Sequence, residues 1–211
     1  MTMTQSLVAF VLAAGLLTVT PGLDTAMVLR TSTVEGPRRA ALAAIGINIG
    51  CLVWGAAVAL GLGALLAASE TGYALLKWAG ACYLFWLGIA LVRRPRSGLA
   101  NEAARPGRPG WTSGRAWLVR GLLTNLLNPK VGVFYVTFLP QFVPAGAPVA
   151  AYTFALAAVH VLLGLLWCAL LIGASAPLGR ALARPALLRA MDRLTGSLFI
   201  AFGVRLALSR Q

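Results

Sequence analysis

Long apolar runs separated by short polar connections dominate the chain, and they lie near residues 6–34, 40–67, 72–92, 118–142, 148–173 and 190–208. A helix needs about 20 predominantly apolar residues to cross a bilayer. Five runs meet that length, whereas the last is short and bounded by charged residues. The pattern predicts an all-α polytopic membrane protein with about six transmembrane helices. The alternative for the last run is an interfacial amphipathic helix, which leaves five spans.

Proline interrupts the first and fourth runs in matching positions. The first contains Thr-Pro-Gly-Leu-Asp at 20–24, and the fourth contains Asn-Pro-Lys at 128–130. Proline lacks the backbone N–H and breaks a helix. The flanking sequences are also similar, since LLTVTPG in the first half matches LLTNLLNP in the second. The chain is therefore predicted to contain two inverted three-helix repeats, at 1–92 and 118–211, whose lead helices are broken at proline.

Positive charge is concentrated in alternate connections between the runs. The net charge is +13, although only 11% of residues are charged and 59% are hydrophobic. This alternation is typical of cytoplasmic loops, so we expect a basic cytoplasmic linker at 93–117 and a noncytoplasmic amino terminus. No separate basic domain exists, which argues against nucleic-acid binding. The three cysteines lie in apolar runs without a CxxC motif, which argues against a disulfide framework or a metal site.

Charged and polar side chains at the two breaks form the candidate binding site. Asp24 is the acidic residue nearest the middle of an apolar run, and Lys130 lies deep in the fourth run. Ionisable residues at membrane depth indicate function and are usually paired. We therefore expect Asp24 and Lys130 to face each other as an ion pair that is loosened when the substrate binds. The alternatives are a capping aspartate near the interface and a purely structural ion pair. The candidate substrate-binding residues are Thr20, Pro21, Gly22, Asp24, Asn48, Asn125, Asn128, Pro129 and Lys130.

His160 lies near the centre of the fifth run and is the second candidate, with Asp24, for coupling to protons. Histidine titrates in the range that suits a proton carrier, although a lone histidine in an apolar helix is often a packing residue. The sequence contains no nucleophile–base pair, phosphate loop or metal cluster. We therefore expect neither an enzyme nor a bound cofactor or metal.

Three stretches resemble the LysE/RhtB family of bacterial amino-acid exporters: TPGLDTAMVLRT at 20–31, KWAGACYLFWLGIALV at 77–92 and NLLNPKVGVFYVTFLPQFV at 125–143. The resemblance implies a multi-pass protein of the bacterial inner (plasma) membrane that exports amino acids, driven by the proton gradient. It also implies a site around the two breaks. The chain departs from the family pattern at Leu23, where a second proline is usual, and at Trp54, where a smaller or polar residue is expected.

The combined expectation is a secondary transporter that exports an amino acid or small derivative by proton antiport. A buried acid neutralised by one lysine leaves no negative charge for a cationic side chain, so neutral substrates of the threonine, homoserine, leucine or cysteine type are favoured. The expected partners are the amino acid, protons and the lipid bilayer, and a homo-oligomer is left open. The alternatives are a metal-ion exporter of related architecture and a membrane scaffold that transports nothing.

Overall fold

The computed structural model describes residues 2–68, 70–93, 113–182 and 184–208, and the described residues are helical throughout apart from short connections. The helices are α1 (Met3–Val19), α2 (Leu23–Val34), α3 (Pro37–Ala68), α4 (Glu70–Arg93), α5 (Gly114–Leu126), α6 (Pro129–Val133), α7 (Val149–Gly173), α8 (Ser175–Leu182) and α9 (Pro185–Leu208). Helix α6 continues into a π-helical turn at Phe134–Phe138 and a 3-10 turn at Leu139–Phe142. The all-helical prediction is confirmed.

Both predicted breaks are present, and each bends the chain sharply. Helices α1 and α2 meet at 51°, and α5 meets the run Pro129–Phe142 at 55°. At the first break Pro21 removes a backbone donor, and Gly22 is the N-cap of α2. At the second break the Asn128 side chain accepts a hydrogen bond from the backbone N–H of Lys130, and Pro129 occupies the first helical position.

Helices α3 and α7 are each long and apolar enough to cross a membrane. Counting each bent pair as a single broken span raises the number of candidate spans to four among the described residues. Helices α4 and α9, which correspond to the predicted third and sixth spans, do not meet that test over their described residues. Six spans and the inverted repeat therefore stay predictions.

The breaks are held in place by helices that approach closely at glycine. A Cβ on Gly121 of α5 would collide with the backbone carbonyl of Ala43 on α3, and a Cβ on Gly46 of α3 would collide with that of Leu118 on α5. Helices α4 and α9 meet in the same way, since a Cβ on Gly88 would lie 2.6 Å from the carbonyl oxygen of Gly196. Small residues allow such backbone contact in membranes.

The basic linker at 93–117 stays a prediction. Arg93 is the last residue of α4, and α5 begins at Gly114 with Ser113 as its N-cap. The Ser113 hydroxyl accepts a hydrogen bond from the Ala116 amide and caps the start of α5. Residues 94–112 lie outside the described residues.

Candidate functional site

A cavity lies where the two broken helices meet α3 and α7. Its volume is about 70 Å³, which is space for a few water molecules or a small polar group. Its walls carry most of the polar residues predicted at the breaks, together with several residues that the sequence did not single out. The lining residues used below are Thr20, Gly22, Asp24, Thr25, Asn48, Cys51, Asn128, Lys130, His160, Gly164, Trp167 and Cys168.

Lys130 repairs the first break from the second half of the chain. In an uninterrupted helix the Leu17 carbonyl would accept a hydrogen bond from the residue four positions later, but that residue is Pro21, which has no N–H. Lys130 Nζ donates to this carbonyl oxygen at 3.0 Å and to the Thr20 carbonyl oxygen at 2.8 Å. Since carbonyls at the end of a helix carry partial negative charge, the end of α1 also stabilises the ammonium charge.

Asp24 is also held by the second break, through side-chain amides. Asn125 Nδ2 donates to Asp24 Oδ2 at 2.9 Å, and the Asn128 side chain also lies beside the carboxylate. Asp24 belongs to the first turn of α2, where the positive end of the helix dipole favours an anion. In both contacts the second break supplies the donors and the first break supplies the acceptors.

The predicted direct pair between Asp24 and Lys130 is not formed in this conformation. Among the described residues, the salt bridge is the one between Arg39 and Glu35 on the surface. Asp24 and Lys130 line the same cavity, but the hydrogen bonds found for them lead to Asn125 and to backbone carbonyls. The physical reason is the break itself, because the carbonyls freed by Pro21 attract the ammonium group.

Asn125 is fully buried and connects Asp24 to α3. Its Nδ2 also donates to Cys51 Sγ at 3.4 Å. A Cβ on Gly50 would lie 2.5 Å from Asn125 Oδ1, so glycine at this position makes room for the amide. Asn125 does not line the cavity itself. It affects the cavity by holding the Asp24 carboxylate, to which it donates a hydrogen bond.

Asn48 occupies the cavity wall between α3 and α7. Its Nδ2 donates to the Ala44 carbonyl at 2.8 Å, one turn earlier on the same helix. The space for its oxygen exists because the facing residue on α7 is Gly164, where a Cβ would lie 2.6 Å from Asn48 Oδ1. Asn48 thus lines the cavity at the position predicted for it.

His160 lines the cavity from α7, and its ring is held from behind. Tyr135 Oη lies 2.9 Å from His160 Nδ1, and the Phe134 ring packs against the imidazole at 5.2 Å between centroids. Both aromatic residues belong to the π-helical turn. One ring nitrogen is therefore occupied by tyrosine, which leaves Nε2 as the remaining polar atom of the ring.

Two buried polar atoms at the cavity have no hydrogen-bond partner within the part of the chain that the structure describes. They are Asp24 Oδ1, an acceptor, and Trp167 Nε1, a donor. Leaving such groups without partners costs about 1–3 kcal/mol each. The cavity therefore presents an acceptor and a donor that are ready to bind complementary groups of a ligand.

Three predicted residues do not line this cavity. Pro21 is buried within the first break, and Asn125 lies behind Asp24 as described above. Pro129 is exposed and lines a neighbouring cavity, where Trp54 packs against Gly132 of α6. The unusual tryptophan at position 54 thus borders the adjoining space rather than the cavity that contains Asp24.

Sequence reasoning missed several residues that line the cavity: Thr25, Cys51, Gly164, Trp167 and Cys168. The available signal was helical spacing, because Gly164, Trp167 and Cys168 follow His160 at intervals that place them on one face of α7. In the described ranges no group of three His, Cys, Asp or Glu side chains is placed to hold a metal ion.

The family model for LysE type translocators matches residues 16–210. The chain belongs to this family. The predicted resemblance is therefore confirmed, and the match to the LysE type translocators includes both breaks and every residue that lines the cavity. No solved structure matches the chain.

Bacterial efflux proteins are among the relatives of this LysE family chain. It is 31% identical to a homoserine/homoserine lactone efflux protein of Salmonella typhi, over 96% of each chain. It is also 31% identical to a leucine efflux protein of Enterobacter sp. (strain 638), over 94% of this chain and 93% of the relative. A threonine efflux protein of Escherichia coli (strain K12) is 29% identical, over 90% and 91% of the two chains.

Proposed function

We propose that this LysE family chain exports a small neutral amino acid, or a derivative of one, across the bacterial cytoplasmic membrane in exchange for protons. The observation that carries the proposal is the polar cavity at the two broken helices. Asp24 Oδ1 is an acceptor without a donor among the described residues, and Trp167 Nε1 is a donor without an acceptor there. A zwitterion offers an ammonium group to the first and a carboxylate to the second.

The charges at the cavity support a zwitterionic substrate. Within the described part of the chain, the cavity is lined by one carboxylic acid, Asp24, and one lysine, Lys130. The formal negative charge of the first and the formal positive charge of the second cancel. A ligand with no net charge enters such a site without leaving an uncompensated charge at membrane depth. The ammonium of the substrate approaches Asp24, and its carboxylate approaches Trp167 and the Lys130 side of the cavity.

The relatives support the same substrate class, because the efflux proteins named above act on homoserine, leucine and threonine. The small cavity is consistent with the main-chain part of an amino acid bound between the breaks. Thr20, Gly22, Asn48 and Asn128 form the remaining polar wall, while Pro21 and Pro129 set the bends.

The transport cycle in this proposal depends on the inverted repeat. The matching bends of 51° and 55° support two related halves, which we take to form six spans. One half rocks against the other around the cavity, and the cavity opens to the two sides of the membrane in turn. Asp24 exchanges its proton for the substrate ammonium, and His160 carries protons at the same cavity.

Purified protein in liposomes tests this function directly. An imposed pH gradient is expected to drive counter-transport of a neutral amino acid, with homoserine, leucine and threonine as the probes. Asp24→Asn should lower that flux at least about tenfold, because a hydrogen bond to a charged group contributes about 1.5–3 kcal/mol. Glu35→Gln is the matched control, since Glu35 pairs with Arg39 at the surface.

Three results would overturn the proposal. Flux by Asp24→Asn equal to that of the wild type would remove Asp24 from the site. Absence of flux for every amino acid tested, with and without a pH gradient, would favour a scaffold that transports nothing, and flux of divalent metal ions alone would favour a metal exporter.

A further inference from the structure

A chain of buried polar side chains runs behind the cavity wall and joins the two residues proposed for proton coupling. Asp24 Oδ2 accepts from Asn125 Nδ2 at 2.9 Å, and the same nitrogen lies 3.4 Å from Cys51 Sγ. Cys51 and Tyr135 belong to the same buried cluster, and their side chains are neighbours there. Tyr135 Oη lies 2.9 Å from His160 Nδ1. Each member comes from a different helical segment.

The position of Tyr135 depends on an unusual backbone. It lies in the π-helical turn Phe134–Phe138, and such turns inside α-helices occur frequently at functional sites. The Tyr135 side chain is fully buried, and its ring contacts the His160 imidazole at 5.5 Å between centroids. A buried hydroxyl in this place needs a hydrogen-bond partner, and His160 Nδ1 is that partner.

The tyrosine hydroxyl suits both charge states of the imidazole. With neutral His160, Nδ1–H donates to the tyrosine oxygen, and Nε2 presents its lone pair to the cavity. With protonated His160, the added proton is on Nε2, Nδ1–H still donates to the tyrosine oxygen, and in both states the hydroxyl proton points toward Cys51 Sγ. The proton is therefore gained and lost at Nε2, and the tyrosine oxygen keeps Nδ1–H hydrogen-bonded in both charge states.

We propose that Tyr135 is a positioning residue for proton coupling, which keeps His160 able to gain and lose a proton at the cavity, and that Cys51 and Asn125 link it to Asp24. This inference rests on the proposed function. The link explains why a proton site on α7 and a substrate site on α2 would respond to each other, since neighbouring buried polar groups lie between the two.

Other titratable groups around the cavity set the background for this coupling. Lys130 acts electrostatically on His160 and on Asp24 from α6. Cys168 on α7 interacts electrostatically with Asp24 and lies beside Asn48. The hydrogen bonds found for Lys130 end on the carbonyl oxygens of Leu17 and Thr20, so removing the tyrosine hydroxyl leaves them in place.

The experiment measures proton-driven amino-acid flux against pH for Tyr135→Phe in liposomes. Phenylalanine keeps the ring and removes only the hydroxyl. The midpoint of the pH profile is expected to move about one unit toward acid, because the lost hydrogen bond is stronger for the charged imidazole than for the neutral one. Exchange of labelled for unlabelled amino acid without net proton movement should be retained.

Tyr152→Phe is the matched control, because Tyr152 Oη bonds to Ser6 Oγ and the Met3 carbonyl at the start of α1. It removes a tyrosine hydroxyl without touching the chain of polar groups, and its pH profile should match the wild type. Cys51→Ala is a second variant, which keeps Tyr135 and removes the thiol that accepts the tyrosine hydroxyl proton. It should shift the midpoint in the same direction by a smaller amount, whereas the exposed Cys82→Ala should not.

The outcomes separate this inference from the proposed function. Wild-type flux with an unchanged midpoint in both Tyr135→Phe and Cys51→Ala would overturn the role of Tyr135 while leaving export intact. Equal loss of exchange and proton-driven flux in Tyr135→Phe would overturn it as well, because a purely structural role predicts that result. Absence of wild-type flux would instead contradict the proposed function.

Discussion

Substituting methionine for Lys130 removes the group that repairs the first helix break. The two hydrogen bonds from Nζ end on the carbonyl oxygens of Leu17 and Thr20. Methionine keeps much of the apolar stem of the side chain, so the change mainly deletes the ammonium group. The Leu17 carbonyl cannot recover its partner from within the helix, because Pro21 has no N–H to offer.

The size of the effect follows from these two contacts. A hydrogen bond to a charged group contributes about 1.5–3 kcal/mol, which gives about 3–6 kcal/mol for the pair. Thr20 lines the cavity, where water can replace the lost donor, so the expected loss of stability is about 2–4 kcal/mol. For a chain of this length that corresponds to a fall in melting temperature of roughly 5–15 °C.

Thermal unfolding of purified protein in detergent, followed by intrinsic tryptophan fluorescence, measures this loss. Arg180→Met is the control, because Arg180 is an exposed residue of α8 and its replacement should change stability by less than about 0.5 kcal/mol. If Lys130→Met melted at the wild-type temperature, the carbonyls at the first break would not depend on the ammonium group, and the proposed repair would be refuted.

Two further predictions concern stability in the same assay. Gly121→Ala should lower the free energy of unfolding by about 1–3 kcal/mol, because the new Cβ meets the carbonyl of Ala43. Gly15→Ala, whose Cβ meets open space, should be neutral or stabilise by up to about 1 kcal/mol. Equal melting temperatures for the two variants would contradict the close approach at Gly121. Thr20→Val and Thr195→Val each break the buried hydroxyl pair at 2.7 Å and should cost about 1 kcal/mol, and the double variant should cost less than the sum. Strict additivity would show that the two hydroxyls do not stabilise each other.

The sequence predicted the bends well because proline acts through its own backbone. A missing N–H breaks a helix whatever surrounds it, so Pro21 and Pro129 sufficed to place the two breaks. The boundaries of the long apolar helices were also predictable, since α7 covers Val149–Gly173 against the predicted 148–173. The exact start of α5 depends on a single N-cap residue, Ser113, which hydropathy alone does not locate.

The partners of the charges were not predictable to the same degree. Lys130 binds backbone carbonyls, and a sequence does not display which carbonyls a distant proline leaves free. Asp24 accepts a hydrogen bond from Asn125, which was among the candidate residues. That Asn125 is the direct partner of Asp24 depends on how α5 lies against α2, which the sequence does not display. The expected direct ion pair followed from charge alone and ignored these competing polar groups.

Tyr135 escaped notice because its position depends on a widened helical turn. The π-helical turn lies within an aromatic cluster, in which Phe134 and Phe138 pack at 5.1 Å and Phe138 packs on Phe142 at 5.2 Å. An ordinary α-helical register gives no indication of this turn. The turn that brings the Tyr135 hydroxyl to His160 lies among these packed rings, and local helix propensity does not predict such packing.

The repair of one break by a residue of the other has a genetic consequence. Lys130 contacts main-chain oxygens, so no side-chain change at Leu17 or Thr20 can compensate for its loss. A compensating change must instead return an N–H to the backbone, and Pro21→Ala does so for the Leu17 carbonyl. Selection for stable Lys130 variants should therefore yield suppressors at Pro21, and these should straighten the lead helix and restore folding without restoring export.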